Sequence, residues 1–107
     1  LAALRLRREE ARGYFEKALL RDRDHFEAQL ALAQLAEQEC AELDEAPALV
    51  RRWGEVVDRS RAALRVDPEN PRALLLLGRG LVRRAISRER LGVQTLEAKA
   101  AIRTDIE

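Results

Sequence analysis

Apolar residues recur at three- and four-residue spacings along almost the whole chain, and no segment alternates with period two over a useful length. A chain so patterned makes amphipathic helices and has no candidate strand. Composition agrees. Ala and Leu number 18 each among 107 residues, whereas Val, Ile and Thr together number 11. Unbranched side chains lose little rotamer freedom on a helix, and β-branched ones suit a pleated surface. The length allows one domain, residues 1–107, and no more.

Five helices are predicted. The first runs from residue 1 to about 21, with Leu1, Leu4, Ala11, Tyr14, Phe15, Ala18 and Leu19 on its apolar side. A charged break, Arg21 to Asp24, offers Asp22 or Asp24 as a cap. A second helix spans about Phe26 to Leu43 on a stripe of Ala28, Leu32, Leu35, Ala36 and Cys40. Asp44 suits the cap of a third helix, about Ala46 to Val66, and Pro47 suits its first turn. The run Asp67-Pro68-Glu69-Asn70-Pro71 stops it, and Asn70 caps a fourth helix that buries Ala73, Leu74, Leu77, Leu81 and Ile86. A break is expected between Arg88 and Gly92. A fifth helix, about Gly92 to Ile106, follows with a thin apolar set of Val93, Leu96, Ala100, Ile102 and Ile106.

The chain also resembles itself. Ala11-x3-Phe15-x2-Ala18-x4-Arg23 shares its spacing with Val56-x3-Ser60-x2-Ala63-x4-Pro68. Each is followed by a second shared pattern: Gln29-x2-Leu32-Ala33-x2-Ala36 and Leu74-x2-Leu77-Gly78-x2-Leu81. These offsets resemble the tetratricopeptide repeat, across roughly residues 8 to 86. The resemblance implies antiparallel helix pairs stacked as a short right-handed solenoid. Small residues such as Ala18, Ala33, Ala63 and Gly78 would sit at the close crossings, with Phe15, Leu32 and Leu77 filling the gaps. The chain departs from the family in three ways. Gln29 and Leu74 stand at the consensus Trp, and Ala36 and Leu81 at the consensus Tyr. The interval from Arg23 to Pro68 is 45 residues against about 34; the excess of about three helical turns would be shared between helices two and three. The chain also opens on the second helix of a repeat. With no Met, position 1 included, it reads as a fragment of a longer one. The residues by themselves also allow a plain antiparallel bundle.

The function classes narrow by chemistry. Charge is balanced, with 20 basic and 19 acidic residues, which gives no general pull toward nucleic acid or membrane. The longest aliphatic run, Leu74 to Leu77, is far short of the ~20 residues that span a bilayer. One Cys and one His make no disulfide framework and no structural zinc site. His25 lies in a charged inter-helix segment, Cys40 on an apolar stripe, and Gly78-x-Gly80 inside a helix rather than after a strand. No catalytic set, metal site or cofactor is expected, and the chain is read as a non-enzyme. No targeting segment is visible, which favours a cytoplasmic setting.

What the resemblance implies is a protein-interaction scaffold that takes a partner's peptide or helix in a concave groove lined by helices two and four. Carrying the family's groove positions over gives Glu27, Leu30, Ala31, Gln34, Glu37 and Gln38 on helix two. On helix four it gives Arg72, Leu75, Leu76, Arg79, Val82 and Arg83. Arg72, Arg79 and Arg83 around Leu75 and Val82 suit an apolar segment bearing carboxylates. The same face would alternatively pack on helix five or on a neighbouring copy. A second expectation is self-association: helix one lacks a hairpin partner, so Leu1, Leu4 and their neighbours need cover, from another molecule or from a missing upstream repeat.

Overall fold

The computed structural model describes residues 2–106, and side chains from residue 3 to residue 101. The expectation of an all-helical chain holds. Among the described residues four helices follow one another: α1 (Ala2–Arg21), α2 (Phe26–Cys40), α3 (Ala46–Val66) and α4 (Pro71–Ile106). No strand occurs among the described residues. Each helix packs on the next in sequence, α1 on α2, α2 on α3 and α3 on α4, and a smaller contact joins α2 to α4.

Local chemistry sets the boundaries. His25, not a neighbouring Asp, caps α2: its Nδ1 accepts from the Ala28 N–H at 3.1 Å. Asn70 caps α4 as expected, its Oδ1 accepting from Arg72 and Ala73 N–H at 3.1 Å each, and Pro71 opens the helix where a missing N–H costs nothing. Glu45 occupies the cap position of α3 without a side-chain bond, so the expected Asp44 cap is not formed. The excess length is not shared evenly either, since α2 holds 15 residues and α3 21.

The expected break at Arg88 to Gly92 is absent, and helices four and five are one 36-residue helix. Arg88, Glu89 and Arg90 are good helix formers, and no proline or capping residue interrupts the run. A lone Gly costs roughly 1 kcal/mol, which is too little to end a helix that otherwise propagates.

The core is built of small side chains. Ala33, Ala36, Val56 and Leu76 form its centre, with Leu30 and Trp53 packed against them. Ala28, Ala62, Ala63 and Ala73 are buried around it. Leu32, Val56, Val57 and Ser60 are the largest fully buried residues. Such fillings let helix axes approach to about 8 Å. Gln29, at the consensus Trp position, is buried and polar. Its Nε2 donates to the Arg23 carbonyl and its Oε1 accepts from Arg59, so it ties the α1–α2 turn to α3.

The face assigned to α4 needs correction. Leu74, Leu81 and Ile86, expected inside, are exposed, and the buried set is Ala73, Leu76, Gly80 and Ser87. The close crossing expected at Gly78 falls at Gly80. A Cβ there would lie 3.0 Å from Val57 Cγ2 and 3.1 Å from Val56 Cγ1, whereas one on Gly78 would meet nothing within 4 Å. Neighbouring valines on α3 fill the crossing, so α4 turns Ala73, Leu76, Gly80 and Ser87 inward and Leu74, Leu75 and Leu81 out.

Candidate partner-binding groove

The α2–α4 contact leaves a shallow trough of about 470 Å³ on one side. Gln34, Glu37 and Gln38 of α2 line one wall, and Arg72, Leu75, Leu76 and Arg79 of α4 line the other. Leu76 forms part of the core at 3% exposure, while Leu75 beside it is 57% exposed. The trough therefore has a sealed apolar floor and one apolar side chain open to water.

Of the twelve positions expected to line the groove, seven meet here: Gln34, Glu37, Gln38, Arg72, Leu75, Leu76 and Arg79. The other five lie elsewhere. Leu30 packs against the core, Ala31 is half-buried on α2, Glu27 is exposed on the first turn of that helix, and Val82 and Arg83 are exposed further along α4. Leu76 serves the core as much as the groove. Arg79 is already engaged. Its Nε and Nη2 donate to the two carboxylate oxygens of Glu37 at 2.7 and 2.8 Å. This two-pronged pair bridges the trough, so Arg79 holds the walls at a fixed spacing and Arg72 is the cation left at the rim.

A second cluster escaped the sequence reading. Arg12 of α1 donates to Glu55 of α3 at 2.5 Å and to Glu39 of α2 at 2.7 Å. Arg52 of α3 closes the ring, reaching Glu55 at 2.7 Å and Glu39 at 3.2 Å. Arg8 and Arg5 of α1 extend it to Glu42 at 2.5 and 3.6 Å. Burial works against the charge on Glu55, but the bonds from Arg12 and Arg52 outweigh it and hold that carboxyl below the ordinary range. The bond from Arg8 likewise lowers Glu42. Arg12 is raised, because its carboxylates more than offset its burial. Each charge in the ring meets an opposite one, so the cluster fastens helices. No spacing rule pairs charges 27 and 43 residues apart, so the sequence held no signal for it.

The remaining candidates are structural in their surroundings. Burial, with Arg52 opposing, pushes the Cys40 thiol up to about 12, so it stays protonated at neutral pH. His25 spends its Nδ1 on the cap. No cluster of three or more metal-ligating side chains occurs among the described residues. No helix among them is long and apolar enough to cross a membrane. Comparisons with protein-family models, with curated proteins and with solved structures find no match to this chain.

Proposed function

We propose that this chain is a tetratricopeptide-like interaction module that holds a segment of a partner protein in the trough between α2 and α4. The observation that carries the reading is the pair Leu75 and Leu76, one open to solvent and the other sealed beneath it, between polar walls with Arg72 at the rim. An apolar side chain of a partner sits on Leu75 and a carboxylate pairs with Arg72. Packing of each helix on its sequential neighbour supports the stacked arrangement, and the 45-residue offset makes it a lengthened variant of the repeat.

The test is a pull-down with the chain as bait, comparing the native sequence with Leu75→Asp combined with Arg72→Glu. Both residues are exposed, so the variant keeps its fold, and partner recovery drops at least tenfold. Undiminished recovery discards the trough.

Self-association is the second reading, favoured by Leu4 and Leu6, which α1 leaves more than half exposed. Leu1, the other residue expected there, lies outside the described residues. Sedimentation at several concentrations, repeated with Leu4→Gln and Leu6→Gln, decides it. A monomer throughout removes this reading.

A further inference from the structure

The solvent side of α4 carries an apolar stripe that runs well beyond the trough and shares only Leu75 with it. Leu74, Leu75, Leu81, Val82, Ile86, Val93 and Leu96 are each between 37% and 67% exposed. At 3.6 residues per turn they fall within an arc of about 140°, opposite the buried Ala73, Leu76, Gly80 and Ser87. The stripe runs for about 33 Å, from 22 residues at 1.5 Å each. Exposed apolar surface of that extent on one helix marks an interface. Within it Gly78, Ala85 and Gly92 recur every seven residues, and both glycines face open space. Small side chains at that interval, walled by Leu, Val and Ile, accept a helix lying along α4 better than an extended strand.

Charge selects the occupant. From Arg72 to Leu96 the helix carries six arginines, of which Arg79 is paired with Glu37, and one acid, Glu89, exposed near the centre of the stripe. Arg83 and Arg88 are exposed on opposite flanks of the stripe. A second copy of this chain supplies no complement. In α1 six basic residues stand against three glutamates, in α3 five against two, and α4 is itself basic. The acidic helix, α2, has Glu27, Glu37 and Glu39 with no cation, and is packed by α1, α3 and α4.

We propose that the outer face of α4 is a docking surface for an amphipathic helix of a different protein, one whose apolar stripe is flanked by carboxylates. This face shares Leu75 with the trough but none of its α2 wall, and its occupation rests on Leu81 to Leu96 rather than on that reading. From Gly92 to Ala101 every residue is exposed. Propagation from the packed part of α4 keeps this stretch helical, and a partner helix laid along Val93 and Leu96 buries their side chains.

The test uses two labelled synthetic 22-residue helical peptides. Both carry Leu at heptad positions a and d; one has Glu at e and g, the other Lys. Binding to the intact chain is read by fluorescence anisotropy. The Glu peptide binds, and the Lys peptide binds at least tenfold more weakly. The triple substitution Ile86→Gln, Val93→Gln and Leu96→Gln, all at exposed sites, cuts Glu-peptide binding at least tenfold, with helicity checked by circular dichroism. Gln34→Lys, confined to the α2 wall, leaves it unchanged. Equal binding of both peptides, no binding of either, or full binding by the triple variant overturns the proposal. A dimer of the chain dissolved by the triple substitution assigns the face to a second copy instead. Adsorption to phosphatidylglycerol vesicles without peptide binding assigns it to lipid. Either result overturns the proposal as well.

Discussion

Arg12 Nη1 lies 2.5 Å from Glu55 Oε2 and thereby joins α1 to α3 across the edge of α2. No described side chain of α1 is fully buried. The first helix is therefore held to the rest by ion pairs over a half-buried apolar strip of Ala11, Phe15, Ala18 and Leu19. Both partners are about four-fifths shielded from solvent, so their attraction escapes much of the screening that weakens surface pairs. Arg12→Ala leaves Glu55 and Glu39 short of a cation and costs about 1–3 kcal/mol. Hydrogen exchange shows the loss chiefly as faster exchange in α1, with α3 and the first half of α4 less affected. Equal loosening of every helix would contradict this placement of the bond.

Acid loosens the same joint. The Glu55 carboxyl has a lower pKa folded than unfolded, so as pH falls the unfolded chain takes up that proton first. Its contribution is complete above the ordinary glutamate range and is lost as pH drops below it. Urea melts at pH 7, 4 and 3 show the decline, and Glu55→Gln flattens it at the expense of a lower starting stability. Glu42, also lowered, preserves a residual slope.

Two glycines two residues apart respond oppositely to the same change. Gly78→Ala stabilises by roughly 0.5–1 kcal/mol, because the added methyl meets open space and the helix gains propensity. Gly80→Ala drives a methyl against Val56 and Val57, both fully buried and unable to yield. Overpacking of about 1–3 kcal/mol outweighs the propensity gain. Thermal melts moving in opposite directions confirm the register of α4 on α3.

The hydroxyl of Ser60 is buried with no hydrogen-bond partner among the described residues. Ser60→Ala removes an unsatisfied polar group and adds a better helix former. It raises stability by about 1 kcal/mol, read as a higher urea midpoint at unchanged slope.

Much of this architecture was legible in the residues. Asn70 and Pro71 announce the start of α4, and Pro47 and the Asp67-Pro68 pair bracket the third helix near Ala46 to Val66, because prolines and side-chain caps act locally. The rotation of α4 was hidden. Four consecutive leucines, 74 to 77, satisfy every helical face at once, so periodicity cannot say which one points inward. Only Val56 and Val57 arriving from α3 decide it in favour of Ala73, Leu76 and Gly80. The trough was half legible for a related reason. Helical spacing groups Arg72, Leu75 and Arg79 on one helix, but the diversion of Arg79 to Glu37, 42 residues away, belongs to tertiary geometry. The continuity of α4 through Gly92 was missed because a glycine and a dense charge run look like punctuation until their small energetic cost is weighed.

An unhinged rod has a mechanical corollary. Whatever grips α4 near Leu96 and whatever lodges beside Arg72 hold the same stiff shaft, roughly 36 Å apart along its axis. With no break between the grips, the two occupants meet a common frame rather than independent pads on a flexible tether.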